Sequence, residues 1–297
     1  MNTRFGPVEF IPGKNFGRYP FCHSLFIRGD LKVVVDPGSD RKRLKDLIEH
    51  DGIDCVWLSH THEDHFKDLD LFADCELWAP LHGAQSLQSL DNLFDAYGMQ
   101  PEERDIFREP MVSDFHFKPR NTDRFFSEEE VIDLGGVTVR VLPTPGHTAG
   151  HVSLFFPEPQ VLFLGDYDLT PFGPYYGDVD SDIDATIASV NKLRGIEAKV
   201  WISSHEVGVF ESDPGDKWDD YLRVIDQREA KLLDLLERPR TMDQIVDACI
   251  VYGKKREPAW FFTFGERMLM GKHLERLMRR GAVISEDGFY YRTVAPA

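Results

Sequence analysis

The sequence has few cysteines, and they form no pattern that would bind a metal or act as a redox pair. Only four occur in 297 residues, with no Cys-x-x-Cys spacing. Cys55 and Cys75 lie in apolar, strand-like segments, where cysteine is usually a core residue. The chain also lacks an apolar run long enough for a membrane span, and residues 1–10 lack the pattern of a signal peptide. We therefore expect a cytoplasmic protein with no membrane partner.

Positive charge is also scarce, except near the C-terminus. The formal net charge is −17. From Lys217 onward 15 basic residues nearly balance 13 acidic ones, so that residues 1–216 carry a net charge of −19. A field of that sign repels polyanions at long range. We therefore expect a small-molecule substrate and disfavour nucleic acid, although two bound dications would offset the charge locally.

Histidine, in contrast, is concentrated in residues 60–65, which read His-Thr-His-Glu-Asp-His. The preceding apolar run, residues 53–59, predicts a buried β-strand. A strand that ends in such a cluster places it at the carboxyl edge of a sheet, where sheet enzymes bind substrates. A surface histidine run is the alternative, but the flanking patterns are apolar rather than of low complexity. The segment therefore predicts a metal site.

Three more predicted strands run into a residue that can bind a metal. One such residue at a strand end would be weak support, because a turn explains it equally well. Four strands with the same property indicate a shared site. The three pairs are residues 137–142 with His147, residues 161–164 with Asp166, and residues 200–204 with His205.

Together these residues resemble the metallo-β-lactamase-fold hydrolases in order, spacing and strand context. The matching motifs are His-x-His-x-Asp-His at 60–65, Thr-Pro-Gly-His-Thr-x-Gly-His at 144–151 and Phe-Leu-Gly-Asp at 163–166, followed by a histidine. The resemblance covers roughly residues 5–210. It implies an α/β fold, an αββα sandwich with metals at one edge. It also implies that a first metal is bound by His60, His62 and His147, a second by Asp64, His65 and His205, and that Asp166 bridges the two.

Imidazoles and carboxylates of this kind suit two divalent ions, with zinc expected first and iron or manganese as alternatives. Two such ions can hold a bridging hydroxide that attacks an ester, thioester, lactone or phosphoester. Asp64 would also aim that hydroxide, so Asp64 and Asp166 are the predicted catalytic carboxylates. Flavodiiron reductases of the same fold carry a carboxylate where this chain has His62, which favours hydrolysis here.

Two other functions stay open at this point. One is a metal-dependent nuclease, and the other is a winged-helix nucleic-acid-binding regulator with a vestigial metal site. Seven intact candidate ligands argue against the regulator. The role of His151, expected to support or pack against the ligands, and that of Asp168 are not decided by the sequence.

Residues 81–130, between the ligand clusters, are predicted to form a lid that sets specificity. Residues 110–124 show neither helical nor strand periodicity and predict a loop. Its His116, Lys118 and Arg120 could bind a substrate carboxylate or phosphate. A loop whose basic side chains are simply solvated explains the same sequence equally well. In the aromatic loop that follows Asp166, residues 170–180, Tyr175 or Tyr176 could donate a hydrogen bond to an oxyanion.

Residues 217–297 are predicted to form a second domain after a catalytic domain of residues 1–216. Three helices and a hairpin in this order resemble a winged helix, and also the C-terminal domain of hydrolases related to lactamase-β-like protein 2. Near-neutral charge favours a packing or dimerisation role over DNA binding, which leaves a homo-oligomer open. The signals are helical spacing at 218–236, a capping box at 241–244, a helix at 268–280 with basic Lys272, Arg276, Arg279 and Arg280, and a hairpin that turns at 286–287.

Overall fold

The computed structural model describes residues 3–293 of the chain, and most of its strands form two large sheets. Within each sheet, strands that are consecutive in the chain are neighbours. The seven strands of the first sheet are β1 Arg4–Phe5, β2 Val8–Ile11, β3 Ser24–Arg28, β4 Lys32–Val35, β5 Cys55–Trp57, β6 Glu76–Ala79 and β7 Arg124–Phe125. The six strands of the second are β8 Val131–Asp133, β9 Thr138–Pro143, β10 Val152–Phe156, β11 Val161–Gly165, β12 Val200–Ser203 and β13 Val209–Phe210.

Alternation along the strands makes each inner face of the sandwich apolar. In β3, Leu25 and Ile27 pack in the core between the sheets, whereas Phe26 faces the other way. In β9 the inward residues are Val139 and Val141. Side chains of a strand point to opposite faces in turn, and burying each large apolar side chain contributes about 1.5–3 kcal/mol. The sequence therefore determines which face of each strand enters the core.

Helices cover the two outer faces. Those that precede β8 cover the first sheet, as Leu44, Leu47, Phe94 and Met111 pack on its outer residues. Val190 and Leu193 from one later helix and Trp218 and Tyr221 from the next pack on the outer face of the second sheet. The predicted αββα sandwich is confirmed. The helices are α1 Arg41–His50, α2 Leu90–Ala96, α3 Pro101–Ser113, α4 Ile183–Arg194, α5 Lys217–Leu235, α6 Met242–Asp247 and α7 Ala259–Arg279.

Parallel pairing brings several strand ends to one edge of the sandwich. β4, β5 and β6 are parallel neighbours in the first sheet, and β11 and β12 are parallel in the second. The loops after β5, β11 and β12 therefore begin at the carboxyl ends of parallel strands. The turn between antiparallel β9 and β10 lies at the same edge of the sandwich. All four carry the predicted ligands.

The helical C-terminal region contains α5, α6 and α7 and a third sheet. The strands of this sheet are β14 Arg240–Thr241, β15 Val283–Glu286 and β16 Phe289–Arg292, in the order β14-β16-β15. The capping box is confirmed, because the Thr241 hydroxyl accepts from the Gln244 amide while the Gln244 side chain accepts from the Thr241 amide. The division of the chain at residue 216 stays a prediction.

Three sequence expectations about these elements need correction. The third C-terminal helix begins at Ala259, nine residues earlier than predicted, because Phe261 and Phe264 pack on the helices of the first sheet. The hairpin turns at Asp287 and Gly288, both with positive φ, as a two-residue turn requires. Residues 110–113 are helical rather than loop, since α3 continues through Pro110.

The basic residues of α7 are bonded to carboxylates or carbonyls of the same chain. Arg276 binds Asp184 and Glu229 at 2.8 and 2.6 Å. Arg279 and Arg280 bind carboxylates at the start of α4, and the Lys272 ammonium donates to the Val179 carbonyl at 2.6 Å. These contacts join the C-terminal region to α4 and the loop before it. Among residues 3–293, every helix is too short or too polar to cross a membrane.

Candidate metal centre

Two groups of ligand atoms converge at the carboxyl edge of the sheets. One atom each from His60, His62, His147 and Asp166 forms the first group, and the second consists of atoms from three further residues. Within each group the atoms lie within 4.8 Å of one another. The second group contains Asp64, His65 and His205. The structure therefore brings together all seven predicted ligands.

In the first group three imidazole nitrogens face one point. His147 Nε2 lies 3.2 Å from His60 Nε2 and 2.9 Å from His62 Nδ1. Three lone pairs cannot approach so closely without a proton or a cation between them. Burial and the adjacent imidazoles hold the pKa of His60 and of His147 well below the ordinary value, which leaves both rings neutral as metal binding requires.

Asp166 faces both groups. Its Oδ2 lies 3.3 Å from Nε2 of His147 in the first group and 3.3 Å from Nε2 of His205 in the second. Its Oδ1 lies 2.9 Å from Nε2 of His65. Burial raises the pKa of Asp166, but His65 and His205 outweigh burial and hold it well below its usual range. The carboxylate is therefore ionised and positioned to contact ions in both groups.

Each ligand imidazole is bonded to a fixed partner through the nitrogen that faces away from the cluster. Such bonds select the tautomer and the ring orientation. The Ser59 hydroxyl donates to Asp36, so it is free to accept from His60. The partners are Ser59 Oγ for His60 at 3.0 Å, Asp178 for His62 at 2.8 Å, Asp36 for His65 at 2.9 Å, the Tyr175 carbonyl for His147 at 3.0 Å and the Gly17 carbonyl for His205 at 2.5 Å.

The polar atoms that face the centre fit divalent metal ions. Within the described part of the chain, His65 Nε2 and Asp166 Oδ1 are buried without a hydrogen-bond partner, although they lie 2.9 Å apart. Buried polar atoms are normally satisfied, so two such atoms at one point indicate a missing ligand. Burial lowers the pKa of His62, but Asp178 outweighs it and raises the pKa to about 9. The centre therefore attracts positive charge, as either protons or metal ions.

His151 supports Asp166 from behind. Its Nε2 accepts a hydrogen bond from the Asp166 amide at 3.1 Å, and its Nδ1 lies 2.9 Å from the Thr144 hydroxyl. Gly165 has a positive φ, and a Cβ there would lie 2.3 Å from the His151 ring. A glycine is therefore required directly before Asp166. His151 packs against the ligand strand, and the two ligand groups do not include it.

An aromatic chamber of about 450 Å³ opens beside the centre. Its floor includes His62, Asp64, His147, Asp166 and His205. Asp168 also lines it, and burial raises the pKa of this carboxyl group to about 8. The aromatic walls come from five separate parts of the chain: Tyr19 from the loop before β3, Tyr97 from the loop after α2, Phe107 from α3, Phe172 and Tyr175 from the loop after β11, and Tyr252, Phe261, Phe262 and Phe264 from the C-terminal region.

The basic candidates of the predicted lid lie outside the chamber, although Tyr97 and Phe107 of the same segment line it. The Arg120 guanidinium donates to the Phe72 carbonyl at 2.7 Å and to the Cys75 carbonyl, so it anchors its own loop. His116 contacts the Lys67 carbonyl and Asp68, both at 3.1 Å. Lys118 is 73% exposed and lies 3.9 Å from Asp70. None of the three lines the chamber.

The two candidate tyrosines have different positions. Tyr175 lines the chamber, and its carbonyl holds His147. Tyr176 is fully buried, with its hydroxyl 2.8 Å from His273 Nε2 and 2.9 Å from an Arg228 nitrogen. Tyr176 is thus a packing residue and cannot reach an oxyanion in the chamber.

Arg228 of α5 fixes the loop that carries Tyr175. We call residues 170–178 the clamped loop. The Arg228 guanidinium donates to the Phe172 and Pro174 carbonyls at 2.7 and 2.9 Å. The same loop supplies Asp178, which holds His62, and the Tyr175 carbonyl, which holds His147. The C-terminal region therefore supports two ligands of the first group.

Sequence reasoning missed three polar residues of this site. Asp36 directly follows β4 and so resembles the predicted strand-end ligands, which is a signal that could have found it. Glu63 lies inside the histidine-rich segment. It is buried, and it accepts hydrogen bonds from the Tyr19 hydroxyl at 2.8 Å and from the Tyr97 hydroxyl. Asp178 lies in an irregular loop with no pattern that marks it.

Comparison with known proteins agrees with this geometry. Residues 18–205 match the family profile described as the metallo-beta-lactamase superfamily. Hydroxyacylglutathione hydrolase GloC of Haemophilus influenzae is 30% identical over 165 residues, which cover 54% of this chain and 70% of that protein. A beta-lactamase-like protein 2 homolog of Drosophila melanogaster is 25% identical over 78% of this chain and 74% of that protein.

A third relative, a probable metallo-hydrolase of Streptococcus pyogenes, is 27% identical over 140 residues. This match spans 45% of the chain and only 56% of the relative. Among solved structures, a metallo-beta-lactamase family protein from Thermus thermophilus superposes with a TM-score of 0.76 at 21% identity, covering 97% of this chain and 99% of that one. The chain therefore belongs to the metallo-β-lactamase superfamily.

Proposed function

We propose that this superfamily member binds two divalent metal ions and hydrolyses a carbonyl ester, thioester or lactone of a small molecule. The observation that carries the proposal is the position of Asp166, whose two oxygens lie within 3.3 Å of nitrogens from both ligand groups. In the proposal, His60, His62 and His147 bind the first ion, Asp64, His65 and His205 the second, and Asp166 both. Zinc suits this set of imidazoles and carboxylates.

Two bound ions of this kind supply an activated water at neutral pH and polarise the acyl oxygen. The protein supplies orientation. Asp64 lines the chamber, with its carboxylate 3.6 Å from His205 Nε2, and there it accepts a hydrogen bond from the attacking water. Burial raises the pKa of the Tyr175 hydroxyl, which keeps its proton and makes it a donor to a developing oxyanion.

The charge of the chamber favours carbonyl substrates over phosphodiesters. Arg18 is the only lysine or arginine among its lining residues, and it is paired with Glu206 at 3.1 Å. A phosphodiester would therefore contact the metal ions but no unpaired lysine or arginine of the chamber lining. The name of the Haemophilus influenzae relative specifies hydrolysis of an acylglutathione, which is a thioester. This similarity supports the carbonyl class without identifying the substrate.

The C-terminal region has a packing role in this proposal. The order of helices and hairpin in residues 217–293 supports the winged-helix interpretation. The basic cluster predicted on α7, however, binds Asp182, Asp184, Glu229 and the Val179 carbonyl through Lys272, Arg276, Arg279 and Arg280. Side chains that are already paired are poorly available to DNA phosphates. We therefore assign this region to the chamber wall and to the support of the clamped loop.

The test measures bound metal and hydrolysis together in Asp166→Ala. Removing a ligand shared by both ions should reduce zinc from about two per chain to less than one and lower kcat by at least about a thousandfold. Zinc is measured by elemental analysis, and activity with a panel of thioesters, lactones, aryl esters and phosphodiesters. Asp105→Ala removes an exposed carboxylate of α3 and serves as the control. Full zinc content and activity in Asp166→Ala would refute the proposal.

A further inference from the structure

We propose that the aromatic chamber selects a substrate whose non-reacting arm is apolar or aromatic and ends in a hydrogen-bond-donating or cationic group, and that Glu63 determines this specificity. Anionic arms are excluded. The inference rests on the proposed hydrolytic function and names the substrate class that this site would accept.

The wall opposite the metal centre suits an aromatic or apolar arm. Phe261 and Phe262 of α7 line it together with Tyr252, and Phe107 of α3 packs 5.8 Å from Phe264 between ring centroids. The Phe261 ring also lies 5.2 Å from that of Tyr19, which lines the same chamber. Small-molecule pockets of this kind bury the apolar part of a ligand and orient it with few polar groups. An arm that extends from the metal centre into the chamber would therefore lie against aromatic rings.

Glu63 is the polar group that faces this space without a cationic partner. Its carboxylate accepts from the Tyr19 and Tyr97 hydroxyls. An ionised carboxylate offers about four acceptor positions, so each oxygen keeps one for a ligand. Among the described residues, the side-chain hydrogen bonds of this carboxylate come from these two neutral hydroxyls. Its remaining acceptor positions are therefore available to a donor or a cation of the substrate.

Four of the other carboxylates of the chamber already have partners: Asp64 and Asp166 face the ligand groups, Asp178 bonds to His62, and Glu206 pairs with Arg18. The fifth, Asp168, has an oxygen buried without a hydrogen-bond partner, and it offers no positive charge to an anionic arm. An anionic arm would thus meet no unpaired protein cation and would be repelled by Glu63. A cationic arm would meet a carboxylate flanked by aromatic rings, which is the usual combination for binding a substituted ammonium group. The charge pattern distinguishes this chamber from one suited to glutathione, which carries two carboxylates.

The experiment uses the zinc-loaded enzyme and three thioesters that differ only in the charge of the arm. The arms are p-(aminomethyl)phenyl, p-ethylphenyl and p-carboxyphenyl groups. They are placed on the acyl side in one set of thioesters and on the thiol side in another. The set that the enzyme cleaves faster is used for the measurement. The measured quantity is the ratio of kcat/KM for the ammonium arm to that for the carboxylate arm. A ratio cancels effects that Glu63→Gln exerts equally on all substrates through its neighbours Asp64 and His62.

We expect a ratio of at least about 30 in the wild type, which Glu63→Gln should lower by about tenfold because one close charge contact is removed. Glu102→Gln removes an exposed charge from α3 and should leave the ratio unchanged. A wild-type ratio below about 3, or equal ratios in wild type and Glu63→Gln, would overturn the inference. The wild-type ratio alone can do so, even if the variant fails to fold.

A binding measurement separates this inference from the proposed function. Calorimetry compares p-(aminomethyl)phenylacetamide with p-carboxyphenylacetamide as ligands of the same enzyme. If the ammonium compound binds more tightly while no thioester is cleaved, the proposed hydrolysis fails and the charge selection stands. If thioesters are cleaved with no preference among the arms, hydrolysis stands and the selection by Glu63 is wrong.

Discussion

The metal centre and the aromatic chamber lie side by side but are constructed differently. Every candidate ligand follows a strand or occupies the turn between two strands, so rigid sheets determine its position. The chamber walls come from loops, from α3 and from the C-terminal region, which are far apart in the chain. Sites on strand ends keep their geometry while their surroundings vary. We infer that the chemistry is fixed by the sandwich and the substrate by the elements added to it.

Removing Asp178 would show how far the metal centre depends on those added elements. Asp178→Ala deletes the partner of His62 Nε2, so the imidazole loses its fixed tautomer and orientation. We expect zinc affinity at the first site to fall about 10- to 100-fold, the usual effect of losing such a partner. Competition with a zinc chelator measures it. Asp180→Ala, at an exposed position two residues along, is the control. Unchanged affinity would mean that strand ends alone define the centre.

A change in the wall should leave the metal centre intact. Phe261→Ala removes a ring that faces the chamber and contacts Tyr19. We expect KM for an arylacetyl thioester to rise about fivefold, with little effect on an acetyl thioester, because only contacts with the arm are lost. Steady-state kinetics and elemental analysis test this together. Phe125→Ala, at an exposed position on β7, provides the comparison. A loss of zinc in Phe261→Ala would mean that wall and centre are not separable.

The smallest expected effect concerns the attachment of the C-terminal region. Burial raises the pKa of Glu229, but His273 and Arg276 outweigh it and hold the pKa below its ordinary value. A carboxyl group whose pKa is lower in the folded than in the unfolded state stabilises the fold at pH values above its unfolded-state pKa. This stabilisation is lost as the pH falls through the folded-state pKa. We expect Glu229→Gln to lower the free energy of unfolding by about 1–2 kcal/mol at pH 7 and by much less near pH 3. Urea titration at both pH values measures it, and an equal loss at both would exclude the ionic contribution.

The same contrast explains what the sequence could predict. His60, His147, Asp166 and His205 were predictable because each follows or adjoins an apolar strand, which is a local signal. Asp178 and the wall residues of α7 were not, because their roles depend on contacts with distant parts of the chain. Even adjacent side chains can point in different directions, since Tyr175 faces the chamber whereas Tyr176 is buried against His273. An irregular loop has no period from which the direction of a side chain could be deduced.

The basic residues of the predicted lid make the same point. Their sequence left open whether they bind a substrate anion or form a solvated loop, and in the structure Arg120 bonds to backbone carbonyls while His116 contacts Asp68. Buried carbonyls must find donors, and a long guanidinium group can supply several at once. Composition alone does not distinguish a cation that binds a substrate from one that holds a loop in place.

The clamp formed by Arg228 has a thermodynamic consequence. This residue contacts no metal ligand, but it holds the loop whose Asp178 and Tyr175 carbonyl orient His62 and His147. If docking of α5 favours zinc binding, then zinc must favour docking of α5 by the same free energy, since linkage is reciprocal. Metal supply would then control how long the C-terminal region stays folded against the sandwich. Zinc-starved chains would expose α5 to proteases first, although the candidate ligands lie in the other part of the molecule.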